Sequence, residues 1–173
     1  MPDDPVPGLD TGGMKWRQSF DTRLIARVGI VAAVYVAGTL ALAPISYGPL
    51  QFRVSEMLKA LALVHPSYAA AFGLGTLISN LTSPFGVFDW ALMPVVDVAA
   101  ALLCYRMRRW PVLALVVQAL LIAAGVAAFP LGMGGGFPLL PSFLSVGASQ
   151  VVLLLAGYGL VRAVQRAYPA GLA

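Results

Sequence analysis

Charge, cysteine and histidine are all scarce in this 173-residue chain. Only 18 residues are charged, 11 basic and 7 acidic, against 60% apolar residues and a mean hydropathy of +0.85. That balance excludes an ordinary water-soluble domain. At about 20 residues per hydrocarbon crossing, five or six helices consume nearly the whole length and leave no room for a soluble catalytic or nucleotide-binding domain. The single cysteine, Cys104, excludes an intrachain disulfide, and its place in an apolar run predicts a buried, inert thiol. The single histidine, His65, has no HExxH pattern or neighbouring carboxylate, which argues against zinc. A membrane serine protease needs Ser and His together inside the bilayer, whereas His65 falls at a helix junction and Ser67 is too near in sequence for an obvious dyad. Gly134, Gly135 and Gly136 are not followed by the Lys of a phosphate loop, and Pro138 interrupts the route to a helix, so the run reads as a flexible outer gate. No enzyme activity, cofactor or metal is expected.

What is present is long apolar sequence. Residues 1–20 carry no apolar period and read as a mobile cytoplasmic tail, with a second short tail at 167–173 flanking a membrane domain at 21–166. Six apolar stretches follow, at about 22–43, 53–64, 66–82, 90–105, 111–129 and 140–164. The first is too long for a signal-peptide core, and its cleavage-like Ala41 to Ala43 is followed at once by Pro44. The second holds Glu56 and Lys59 in about a dozen residues; it can cross only if tilted, shielded by protein or extended by the preceding loop. Basic residues decide the count, because they gather on the cytoplasmic side. Six crossings put Lys15, Arg17, Arg23, Arg106, Arg108, Arg109, Arg162 and Arg166 on one face; five would split Arg106 from Arg162. The expectation is an all-α bundle of six transmembrane helices with both termini cytoplasmic. The pI near 9.6 therefore reports membrane orientation and not nucleic acid.

Small residues at four-residue spacing let membrane helices approach closely. Gly29, Ala33, Ala37 and Ala41 form such a stripe on the first helix, and Ala71, Gly75 and Ser79 form one on the third. Packing within the bundle and docking onto another membrane protein both remain open for the first stripe.

Polar side chains in membrane segments mark sites, since a central charge costs roughly 2.5–3.5 kcal/mol to insert. An extended segment before the second stretch would point Gln51 and Arg53 one way and Phe52 and Val54 the other. Ser55 is placed to cap the short helix, with Glu56 in its first turn. Arg53, Glu56 and Lys59 stand three apart and either neutralise one another or supply a donor, an acceptor and, with Phe52, an aromatic face for a planar heterocycle. Gly73, Thr76, Asn80 and Ser83 make a small and polar stripe. Trp90 and Asp97, seven apart, share a face of the fourth helix; Asp97 must be protonated, wet or paired with a group such as Lys59. Gln118 and Gln150 either extend this lining or bond helix to helix.

With no ATP-binding motif and no evident inverted repeat, uphill transport would need a powered partner. ISYGPLQFRVSEMLKAL, then PSYAAAFGLGTLISNL, Asp89 and VDVAAALLCY, resemble the queuosine-precursor transporter (QueT) family across residues 20–165, with GPLQFRVSE the most specific part. The resemblance implies a substrate-binding S component of an energy-coupling factor importer in a bacterial plasma membrane. Its partners would be a membrane coupling subunit and two ATPases, with the stripe Gly29, Ala33, Ala37 and Ala41 as docking surface. It also implies a 7-deazaguanine solute whose guanine-like edge meets Glu56, with Gln51, Arg53 or Asn80 donating to its carbonyl and Phe52 or Trp90 stacking. Asp89 or Asp97 would face an amine on the deaza position, and Gln150 would complete the lining. A carrier of another flat, vitamin-like solute and a structural membrane subunit are the alternatives.

Overall fold

A computed structural model of the chain describes residues 22–46, 52–83, 86–133 and 139–167. The tail expected at 1–20, nearly all of that at 167–173, the Gly134 to Gly136 gate and Gln51 lie outside them. All regular structure among the described residues is helical: α1 (Thr22–Ala41), α2 (Ala43–Ser46), a 3-10 helix (Val54–Leu63), α3 (Tyr68–Asn80), α4 (Val87–Arg106), α5 (Pro111–Met133) and α6 (Leu139–Ala167). Four of these, α1, α4, α5 and α6, are long and apolar enough to cross a membrane. Helices α1, α4 and α6 turn large apolar side chains such as Ile30, Val34, Val95, Leu102 and Val152 outward, as a lipid-facing surface requires. Proline is tolerated at both kinds of position it occupies here: Pro111 opens α5, where the missing N–H would be unpaired anyway, and Pro94 lies inside α4.

The helices pack in a closed ring. α1 touches α3, α3 touches α4, α4 touches α5, α5 touches α6, and the 3-10 helix closes the circuit between α6 and α1 while also reaching α3 and α4. It is therefore shielded by protein, as its short and charged sequence demands: Glu56, Lys59, Ala60 and Ala62 are all buried. Three glycines make close approaches, one of them Gly73 of α3, where a Cβ would sit 2.5 Å from Val98 of α4. A Cβ at Gly157 of α6 would collide with the main-chain carbonyl of Met57, so the bare backbone lets the 3-10 helix lie against α6. A Cβ at Gly75 of α3 would sit 2.8 Å from Tyr35 of α1.

The contact of Gly75 with Tyr35 sets which way the small-residue stripes face. Ala71, Gly75 and Ser79 of α3 are buried, so that stripe is internal. On α1 the buried residues are Ala32, Tyr35 and Thr39. Gly29, Ala33, Ala37 and Ala41 are all exposed, and nothing lies within 4 Å of a Cβ built on Gly29. α1 thus packs through a large aromatic seated on the glycine of α3, and its own small residues face outward.

The capping expectation is corrected. Ser55 is the second residue of the 3-10 helix, whose N-cap is Arg53 without a side-chain bond. Ser55 Oγ instead pairs with Thr39 Oγ1 at 2.6 Å, fastening the helix start to α1.

Candidate functional site

The four elements that meet the 3-10 helix each bring polar groups to one buried point. Lys59 stands at the centre. Its Nζ lies 2.7 Å from Asp97 Oδ1 of α4 and 2.6 Å from Glu56 Oε2 one turn back, and 5.4 Å from the centre of the Tyr35 ring. Glu56, Lys59 and Asp97 are each 1% exposed. Both acids are held by further donors: Tyr35 Oη donates to Glu56 Oε1 at 2.5 Å, and Thr76 Oγ1 to Asp97 Oδ2. The contact between Lys59 Nζ and Glu56 Oε2 is an ion pair outside the angular range of a hydrogen bond. Burial of such groups is tolerable only in company, since an unpaired ion would cost several kcal/mol. Neutralisation of Glu56 by Lys59 is real, then, but it extends to Asp97 and forms one network.

A second group adjoins it. Arg53 donates through Nη1 to Asn80 Oδ1 at 3.0 Å and through Nε to the Ser46 carbonyl at 3.3 Å, and its Nη2 lies 3.9 Å from Asp89 Oδ2. Asn80 Nδ2 in turn donates to the Asp89 carbonyl at 3.2 Å, tying α3 to the first turn of α4. Arg53 is buried among these partners, so its charge is answered locally.

Arg53, Glu56, Lys59, Thr76, Asp89 and Asp97, with Gln150 of α6 and the apolar Met93, Ile122 and Val126, line one cleft of about 270 Å³ including its open mouth. At its centre there is room for about one water molecule. Of the residues singled out in the sequence, Arg53, Glu56, Asp89, Asp97 and Gln150 line this cleft, and Asn80 stands behind Arg53. Trp90 does not line it. Spacing puts Trp90 on the face of Asp97, but it stands in the first turn of α4, 37% exposed, where the side chain turned inward is Asp89. Phe52 is half-buried and outside the cleft lining. Gln118 is 1% exposed, yet neither of its amide atoms has a hydrogen-bond partner among the described residues, so it bonds no helix there, contrary to one of the two expectations for it.

Tyr35 and Thr76 carry more of the cluster than their sequence context suggests, whereas Lys59, which the sequence offers as a partner for Glu56 and Asp97, stands between them. A lone tyrosine hydroxyl in the middle of an apolar helix is the signal that would have found the first, because a buried phenol needs a partner. Cys104 is buried in α4, as its apolar context predicts. His65 and Ser67 do touch, with Nδ1 2.7 Å from Oγ, and the Ser67 N–H also points at Nδ1. The pair is exposed and organises the turn before α3. Among the described residues, no group of three metal-ligating side chains is placed to hold an ion.

Comparison with known proteins agrees with a transport role. The chain is 44% identical over 79 residues to the "Queuosine precursor transporter QueT" of Lactococcus lactis subsp. cremoris (strain MG1363), a stretch covering 44% of this chain and 43% of that relative. The match thus spans under half the relative's length. No solved structure matches the chain. The profile described as QueT transporter, a family of transporters and not of enzymes, matches residues 25–166, and with that coverage the chain belongs to the QueT transporter family.

Proposed function

We propose that this protein is the substrate-binding subunit of an energy-coupling factor importer in a bacterial plasma membrane, and that it captures a 7-deazaguanine precursor of queuosine. The membrane domain, residues 21–166, crosses six times with both termini in the cytoplasm, and tails flank it at 1–20 and 167–173. Two of the six crossings are short. The ten residues of the 3-10 helix and the thirteen of α3 each rise about 20 Å, against about 30 Å of hydrocarbon. They span as inner elements of the ring, completed by the segments that precede and follow them.

The observation that carries this reading is a buried network of five ionisable groups on a cleft inside an apolar helical bundle, in a chain of a transporter family. Such a network is expensive unless it serves a solute. The guanine-like edge offers two adjacent N–H donors. Glu56 accepts them on the lone pairs left after Tyr35 and Lys59 have been served, and Arg53 donates to the ring carbonyl. Met93, Ile122 and Val126 supply the apolar wall. Because the cleft centre holds only about one water, a bicyclic base enters by pushing side chains aside.

ATP hydrolysis then belongs to partners: a membrane coupling subunit and two ATPases, docked on the outward stripe Gly29, Ala33, Ala37 and Ala41. In the purified protein, 7-deazaguanines are expected to raise the melting temperature and adenine to leave it unchanged. Glu56→Gln, checked for monodispersity, should abolish that response; a melting curve insensitive to every deazaguanine refutes the ligand. Uptake by liposomes containing this chain alone refutes the partners.

A further inference from the structure

One end of the bundle carries arginine without acid. The turn from α4 to α5 holds Arg106, Arg108 and Arg109, and the last turns of α6 hold Arg162 and Arg166, all exposed. The residues between Met133 and Leu139 reach about 20 Å at most, against roughly 34 Å for the length of α5, so α5 and α6 run antiparallel. A Cβ on Gly147 of α6 would lie 3.6 Å from that of Ala123 on α5. Equal distances counted from that contact bring Arg162 level with the start of α5, whose other neighbour, α4, ends at the Arg108 turn. Among the described residues the acids are Glu56, Asp89 and Asp97, all buried on the cleft, and none of them pairs with these arginines.

Membrane orientation asks for charge at such an end and nothing more. The side chains show more. Arg108 Nη1 donates to Tyr105 Oη at 3.0 Å, with the guanidinium carbon 4.6 Å from the centre of that ring. Arg162 Nη1 donates to Tyr158 Oη at 3.3 Å, with its carbon 5.8 Å from the ring centre. A phenol holds a guanidinium in place without neutralising it, and a fork with one N–H engaged keeps others for an oxyanion. Between the two clamps the surface is apolar: Trp110, Val112 and Leu113 are all exposed. Held cations bordering bare hydrocarbon match a molecule with a phosphate head and acyl tails, whereas a soluble anion would leave the apolar strip uncovered. We propose that the start of α5 binds an anionic phospholipid, with Arg108 and Arg162 as donors to its headgroup and an acyl chain over Val112 and Leu113. Tyr105 and Tyr158 are positioning residues.

The test is thermal melting of the full-length protein in neutral detergent, titrated with phosphatidylglycerol, phosphatidylcholine or inorganic phosphate. Phosphatidylglycerol alone should raise the melting temperature, and saturably. A charge-assisted hydrogen bond corresponds to about 10- to 100-fold in affinity, so Arg108→Gln with Arg162→Gln should raise the half-saturating concentration at least about tenfold. Arg23→Gln with Arg27→Gln removes the same charge from α1 and should shift it less than about twofold, because distant exposed charges are screened. An equal loss in both double variants means diffuse attraction and overturns the proposal. Equal stabilisation by phosphatidylcholine overturns it too, and assigns the arginines to another partner such as an acidic protein surface. Equal stabilisation by inorganic phosphate makes the site one for soluble anions and likewise refutes the lipid. Tyr105→Phe with Tyr158→Phe keeps every charge and should weaken phosphatidylglycerol binding about 2- to 10-fold; unchanged binding there refutes the clamps and with them the site. Should the arginine variant not fold, the tyrosine pair and the comparison of lipids still decide the matter.

Discussion

Lys59 is the side chain whose removal has the most legible cost. Lys59→Met deletes an ammonium lying 2.6 Å from one carboxylate and 2.7 Å from another, in a place with almost no access to solvent. Methionine fills much of the same volume, so the change is chiefly electrostatic. Glu56 keeps the Tyr35 hydroxyl and Asp97 keeps Thr76, but neither donor carries charge. Stranding the partner of a buried pair costs about 3–5 kcal/mol. Against a total stability of about 5–15 kcal/mol, that is a large share, equivalent to a fall of roughly 6–20 °C in melting temperature for a chain of this size. Removing all three of these charges together should be milder, because no buried charge is then left without its partner. The triple variant Lys59→Met, Glu56→Gln, Asp97→Asn is therefore expected to regain most of the lost melting temperature while failing to bind any deazaguanine. Thermal melting in detergent, followed by tryptophan fluorescence, reads both effects. If Lys59→Met melts with the wild type, or if the triple variant melts no higher than the single one, the network does not carry the energy assigned to it here.

Two further substitutions examine the packing. Gly157→Ala drives a methyl group into the main chain at Met57, which cannot swing away as a side chain would; a loss of about 1–3 kcal/mol is expected, with faster hydrogen exchange in the 3-10 helix. Gly159→Ala, with nothing within 4 Å of the new methyl, is the control and should melt no lower than the wild type, and higher by the helix-propensity gain of about 0.5–1 kcal/mol. Gln118→Met removes an amide buried without partners and should raise stability by about 1–3 kcal/mol; a lowered melting temperature would mean that the amide is satisfied in the folded protein.

Much of this was legible from sequence, and the reason is period and cost. Apolar runs long enough to span, bounded by Arg106 to Arg109 and by Arg162 to Arg166, located α4, α5 and α6 to within a few residues, because a lipid-facing helix tolerates little else. Glu56 and Asp97 stood out as members of a polar cluster because an acid in an oily helix needs an explanation, and Lys59 was the natural partner for the second. Direction was not legible. A stripe such as Gly29, Ala33, Ala37 and Ala41 is small on whichever side it faces, and only the seating of Tyr35 on Gly75 turns it outward. The role of Tyr35 was hidden for a related reason: 21 residues separate it from Glu56, and no local pattern links a phenol on one helix to a carboxylate on another. Ser55 misled because its position before the helix suited a cap, while the bond that wins is made to Thr39 of α1, outside any local pattern.

The site's placement follows from the two elements that are too short to span alone. A long apolar helix can satisfy itself in lipid, but the 3-10 helix and α3 cannot, and their polar faces must be covered by neighbours. Closing the ring of helices around them supplies that cover and brings Lys59, Thr76, Asn80, Asp97 and Arg53 within reach of one another. The pairs so formed are graded: Lys59 is gripped at 2.6 and 2.7 Å, whereas Arg53 and Asp89 stand 3.9 Å apart. Coulomb attraction weakens with separation, and the shorter contacts are also the more deeply buried. Parting any of these groups costs least at the Arg53 and Asp89 contact, the longest of the three. The same contact contains Asp89 Oδ2, which accepts no hydrogen bond among the described residues. The most weakly held joint of the lining and its least satisfied acceptor are thus one place, because the separation that loosens the Arg53 contact is also what leaves Asp89 Oδ2 without a donor.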